Sequence, residues 1–245
     1  MRFFIVLVGL WGGFAGIVEA KVIPVSTVAE VTAAIARANS GDKIVLQPGQ
    51  YAFDLVRVKR PGTRTNPITI TAEQRGTVLL KSRAVILFKV RAANWIFENL
   101  DIRGVCVPQK KCHHAFQLIG KSNNTIIRNN RMRDFNATIK SGGTWIKRPD
   151  GTKIRSYPAN VLIEGNAIYN TRARRTSAPV TLIDVVGGKG WVVRRNLIAD
   201  FEKAGGNKIS YAMFLKGNSR DGLIEQNLVG CEWRHSGGVR LGLSL

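Results

Sequence analysis

One pattern recurs along the chain: WIFENLDI at 95–102, TIIRNNRM at 125–132, VLIEGNAI at 161–168, VVRRNLIA at 192–199 and LIEQNLVG at 223–230. Each copy sets β-branched or apolar residues before a charge, an Asn and a further apolar residue. The Asn residues read as one series, Asn99, Asn130, Asn166, Asn196 and Asn227, at spacings of 31, 36, 30 and 31. A second strand-like run accompanies the copies: HAFQLIG (114–120), VTLIDVVG (180–187), YAMFLKG (211–217) and VRLGLSL (239–245). Two short β-rich runs in roughly 30 residues, divided by Gly, Asn and Lys turns, make one coil of a parallel β-solenoid. Coils stack about 4.8 Å apart, so an Asn in one slot can bond the Asn of the next coil. Turn chemistry also favours Asn there, and on either account these Asn are structural. Alternation sends Ile163 and Ile224 inward and Glu164 and Glu225 outward.

The repeat needs covered ends, because open strand edges pair with other chains. Ser26 or Thr27 can N-cap a short helix, with Glu30 at N3 or N4 and Val28, Val31 and Ile35 on one face. KIVLQPGQY and PITITAE, followed by GTVLL, supply the first coils. VRLGLSL stops in an apolar strand, so the solenoid is expected to continue past residue 245 or to be covered by another chain.

The 245 residues carry 37 Lys plus Arg against 16 Asp plus Glu, a net charge of +21, with 44% hydrophobic residues. That apolar fraction excludes a disordered basic tail. The charge points to a polyanionic partner: nucleic acid, an anionic membrane surface or an acidic polysaccharide. MRFFIVLVGLWGGFAGIVEA (1–20) has one early cation, an apolar run and small residues before Ala20, the layout of a cleaved export signal. As a membrane anchor the run is short and interrupted by Gly. Export disfavours nucleic acid and places the expected product, a single domain over 21–245, in a secreted or periplasmic setting without a membrane span. Three Cys are too few for a disulfide scaffold. Cys106 and Cys112 are expected to staple a turn, leaving Cys231 over. His113 and His114 beside Cys112 lack zinc spacing, and the Gly pairs lack a nucleotide-loop context.

GDKIVLQPGQY, NPITITAEQRGTVLL and NWIFENLDI resemble secreted right-handed parallel β-helix proteins, most nearly the chondroitinase B and alginate lyase group of polysaccharide lyases. The resemblance implies an all-β, right-handed parallel β-helix with a short N-terminal capping helix. It also implies work on an acidic, uronate-containing polysaccharide by β-elimination. That reaction needs a group to neutralise the carboxylate, a base for the C5 proton and an acid for the leaving oxygen. Lyases of the group use a Lys base and an Arg on the next coil. The matching positions are Lys216 in FLKGNS and Arg240 in GGVRLGL, 24 residues apart. His235 is a further proton carrier, and Tyr211 a proton donor. The resemblance allows calcium, but the group's calcium-binding Glu residues, five and seven places before the Lys, are here Tyr211 and Ile209, so no metal or other cofactor is expected.

Asp184 and Glu202 are the nearest acids to this expected site, and Asp184 is assigned to substrate binding. Basic loops RVKR (57–60), KK (110–111), IKRPDGTKIR (146–155) and RARR (172–175) suggest a positive groove, with Arg174 and Arg175 touching substrate. Trp233, and more weakly Trp145 and Tyr157, could stack on sugar rings. The competing readings are a non-catalytic binder of acidic polysaccharide or cell envelope, and a uronate C5-epimerase. The protein is expected to act as a monomer.

Overall fold

In the computed structural model, residues 20–245 are described. The export-signal reading of 1–20 therefore lies outside them, apart from Ala20. Among the described residues no helix is long and apolar enough to cross a membrane.

Parallel strands stack into three sheets of eight, seven and seven strands, and the chain visits one after another on each coil. The first sheet runs from Val22–Val25 to Leu223–Glu225, and the second from Gly49–Phe53 to Leu228–Gly230. The third holds Val56–Val58, Ile86–Val90, His114–Ile119, Ile139–Gly142, Val180–Val186, Ile209–Lys216 and Val239–Ser244. This is the parallel β-helix that the repeat predicts. Alternate residues fill its interior: Phe88, Phe97 and Phe116 pack with ring centres 5.0–5.3 Å apart, and Trp95 and Trp191 are fully buried.

The single α-helix of the described residues, Val28–Arg37, lies over the N-terminal end. Thr27 caps it, and the Glu30 side chain bonds back to the Thr27 N–H, while Val31, Ala34 and Ile35 are buried. Those Ser26 and Thr27 bonds hold the Glu30 carboxyl below its usual range, those from Ser26 most. Arg60 then reaches the Ala38 carbonyl oxygen at 2.9 Å and so satisfies an acceptor just past the helix.

The Asn ladder exists but begins one coil later than the sequence suggests. Asn166 Oδ1 accepts from the N–H and Nδ2 of Asn130 at 3.0 and 3.1 Å. Asn196 accepts likewise from Asn166, and Asn227 from Asn196. Asn99 is not a rung. The register pairs Glu98 with Arg128, which aligns Asn99 with Asn129 and puts Leu100 in the ladder slot; its N–H donates to Asn130 Oδ1. Asn99 instead occupies the preceding turn position, where Asn129, Gly165, Arg195 and Gln226 all have φ of 54–64°. Asn and Gly adopt that left-handed conformation readily. Backbone bonds to the coils on either side hold Arg195 in it: the Gly165 N–H donates to the Arg194 oxygen at 3.2 Å and the Arg195 N–H to the Glu225 oxygen at 3.3 Å.

The third sheet departs from simple alternation. In Ile86–Val90, His114–Ile119 and Ile209–Lys216, two successive residues are buried: Leu87 and Phe88, Ala115 and Phe116, Ala212 and Met213. At one such place the N–H groups of Ala115 and Phe116 both donate to the Thr138 oxygen, as in a β-bulge. The doubled inward step brings Tyr211 and Phe214, three residues apart, to the same outer side.

Candidate functional site

Strand register sets the outer face of the third sheet. Arg57, Lys89, Gln117, Lys140, Asp184, Phe214 and Ser244 follow one another across its seven strands. The row is cationic or neutral until Asp184. That carboxylate is 5% exposed, which would be costly without partners. Lys140 supplies one, with Nζ 2.5 Å from Asp184 Oδ2. Lys216 supplies another, with Nζ 3.5 Å from Oδ1; that contact is an ion pair without hydrogen-bond geometry. Lys216 also lies 4.0 Å from the centre of the Phe214 ring, which in turn packs 4.2 Å from Tyr211. Lys140, Asp184, Phe214, Lys216 and Tyr211 thus form one cluster spanning three adjacent strands.

The structure brings Lys216, Asp184 and Tyr211 together and leaves the other expected residues elsewhere. Arg240 does lie on the next strand, but in register with Ser210 rather than Lys216. Six residues of strand, roughly 20 Å, separate the two levels. Ser210 is an inward position, and Arg240 follows it: its side chain is only 3% exposed and bonds Glu202 at 3.2 Å and the Gly237 oxygen at 2.7 Å. His235 binds the same Glu202 at 2.8 Å. Arg240, His235 and Glu202 therefore organise the loop before the last strand, apart from the Lys216 cluster.

Arg174 is also committed internally. It is 1% exposed, and its guanidinium holds Asn136 Oδ1 and the backbone oxygens of Gln109 and Cys112. Burial pulls its pKa down to about 10. It braces the Cys106–Cys112 loop, whose disulfide is formed, and does not reach substrate space. Arg175 is exposed and lines a hollow of about 510 Å³ with Lys110 and Arg172. Trp233 packs edge-on against Tyr169, and the Arg234 guanidinium lies 3.7 Å above the Trp233 ring. Trp145 sits exposed on the hairpin Thr144–Lys147 and Lys153–Ser156, under Arg155.

Sequence reasoning missed Lys140. A lone Lys in DFNATIKSGG carries no motif, and only register reveals its place beside Asp184. His114 sits in register with Ile86, and its Nδ1 lies 2.7 Å from the Ala137 oxygen. A carbonyl can only accept, so Nδ1 carries the proton. Burial pushes its pKa down to about 4, so the ring is neutral at physiological pH. Among the described residues no group of three or more His, Cys, Asp or Glu could hold a metal ion. With Tyr211 and Ile209 where the resembling lyases carry calcium ligands, the residues present do not fit that site.

The sequence model of the family described as Chondroitinase B matches residues 25–114. Over that stretch the chain is similar to chondroitinase B. Solved structures agree on the fold. An alginate lyase from Paenibacillus sp. str. FPU-7 aligns with a TM-score of 0.55 at 18% identity, over 85% of this chain and 76% of that one. A PL6 family polysaccharide lyase from Pseudopedobacter saltans gives 0.54 at 18%, over 85% and 46%. A pectate lyase gives 0.57 at 12%, over 81% and 54%. The chain thus spans about half the length of the latter two. No curated protein matches in sequence. The lyase-like stretch 25–114 covers the first coils and ends before Lys140, Asp184 and Lys216, so those residues stand on their geometry alone.

Proposed function

We propose that the protein is an exported enzyme that cleaves an acidic, uronate-containing polysaccharide by β-elimination on the outer face of the third sheet. The observation that carries this reading is the Lys140–Asp184–Lys216 cluster on an otherwise acid-free cationic row. Lys140 neutralises the uronate carboxylate, the role expected of Arg240, which lowers the cost of forming a carbanion at C5. Lys216 takes the C5 proton. Tyr211 donates a proton to the departing C4 oxygen, and a C4–C5 double bond forms as the glycosidic C4–O bond breaks. Asp184 positions both lysines. Phe214 offers an apolar face for a sugar ring. No step uses a metal.

Incubation with alginate, pectate and glycosaminoglycans, followed by ultraviolet absorbance of the unsaturated uronate, tests this. Absorbance that grows on one of them is the expected result, and no product on any refutes the elimination. A second reading, a non-catalytic binder, is favoured by the ion pairing of Lys216, because a permanently paired lysine serves as a charge and not as a base. It predicts binding without product.

A further inference from the structure

The same sheet face carries a second concentration of charge at its N-terminal end, well away from Lys216. Arg57 and Lys89 are register neighbours, and Lys59 and Arg91 each follow the next registered pair, Val58 and Val90. The four therefore form a two-by-two grid, about 4.8 Å between strands and roughly 6.6 Å along them. They line a hollow of about 280 Å³ that contains no acid. A second hollow of about 280 Å³ adjoins it, against the helix, and shares Arg57 and Lys59. None of the four side chains hydrogen-bonds or ion-pairs with another described residue, whereas Arg103, Arg128, Arg131 and Arg194 on the other two sheets are paired with acids. Like charges held this close repel one another, so the grid is stabilised by an anion.

We propose that Arg57, Lys59, Lys89 and Arg91 form an anion-binding tract for an extended polyanionic glycan running along the solenoid axis. The tract starts four strand spacings, roughly 19 Å, from the Lys216 strand. A chain lying in both places spans several sugars, so the site prefers polymer to short oligomers. No aromatic side chain lines either hollow, which disfavours single-stranded nucleic acid, whose bases stack on aromatic platforms. The inference deepens the proposed function and rests on it for the orientation of the chain, but not for the binding itself.

The test compares Lys59→Gln/Arg91→Gln with Lys43→Gln/Arg75→Gln, which removes equal charge from exposed positions off this face. Binding of alginate polymer, alginate disaccharide, heparin and duplex DNA is measured by calorimetry, in wild type and both variants. The tract predicts about tenfold weaker polymer binding in the first variant only, two exposed charge contacts being lost, with the disaccharide little changed. Alginate carries carboxylates alone and heparin carboxylates with sulfates, so the pair shows whether sulfate adds affinity, and dependence on the tract with either supports the proposal. Equal loss in both variants, no loss in the first, or tract-dependent binding of duplex DNA without glycan binding would each overturn it. The readout is binding, so a failure of the lyase reading shows separately, as absent product with tract-dependent affinity retained.

Discussion

Replacing Asp184 with Asn separates catalysis from binding by the sign of its effects. The substitution keeps the shape and removes the charge between Lys140 and Lys216. Breaking a fully buried pair costs about 3–5 kcal/mol. Here the lysine side chains are 27% and 46% exposed, and water recovers much of that. About 1–2 kcal/mol is expected, a fall in Tm of roughly 2–8 °C for a chain of this size. Binding of an anionic sugar moves the other way. A carboxylate about 6 Å from Asp184, at an effective dielectric near 40, gains about 1.4 kcal/mol when that charge goes, or tenfold in Kd. The lysines meanwhile lose the group that positions them, so kcat falls while KM falls too. Thermal melts, alginate calorimetry and steady-state kinetics on one preparation read all three. Unchanged stability together with unchanged or weaker alginate binding would refute the argument that Asp184 anchors an anion-binding cluster.

Other outcomes follow from the same physics. Asn166→Ala removes four hydrogen bonds of the ladder, to Asn130 twice, to the Ile127 oxygen and to Asn196; urea unfolding should show a loss of about 3 kcal/mol, and Asn99→Ala, off the ladder, far less. Stability should fall as pH drops from about 6.5 to about 4, because unfolded His114 binds a proton that the folded ring, with its pKa near 4, refuses; His114→Gln should flatten that part of the pH profile. Thr27→Ala removes the helix cap and should cost about 1 kcal/mol, read as a lower urea midpoint.

Much of the fold is legible in the sequence because a solenoid writes the same constraint once per coil. Ile163 and Glu164 must face opposite ways on every turn, and Asn must recur where a side-chain amide can bond its successor. Asn99 shows the limit. Two adjacent slots both favour Asn, one for its amide and one for its left-handed φ, and spacing alone cannot separate them. The site is less legible for a related reason. Position along a β-helix depends on register, and the loop before Val239–Ser244 changes it: Arg240 is on the right strand and six residues from the right level. Lys140 was hidden by the hairpin inserted after it, which stretches the interval from Asn130 to Asn166 to 36 residues and conceals that Ile139–Gly142 belongs to the third sheet. Arg174 reads as a surface charge in RARR, whereas its partners Gln109 and Asn136 come from other coils.

The central claim is that Lys216 performs chemistry on an acidic glycan bound across this sheet. Its most direct measurement is the rate of unsaturated-product formation by wild type and Lys216→Ala on the best substrate, with binding of the same polymer measured alongside. The account predicts a loss of about 100-fold or more in rate, the scale of a missing general base, with the Kd changed only several-fold. A variant that keeps most of the wild-type rate would contradict it.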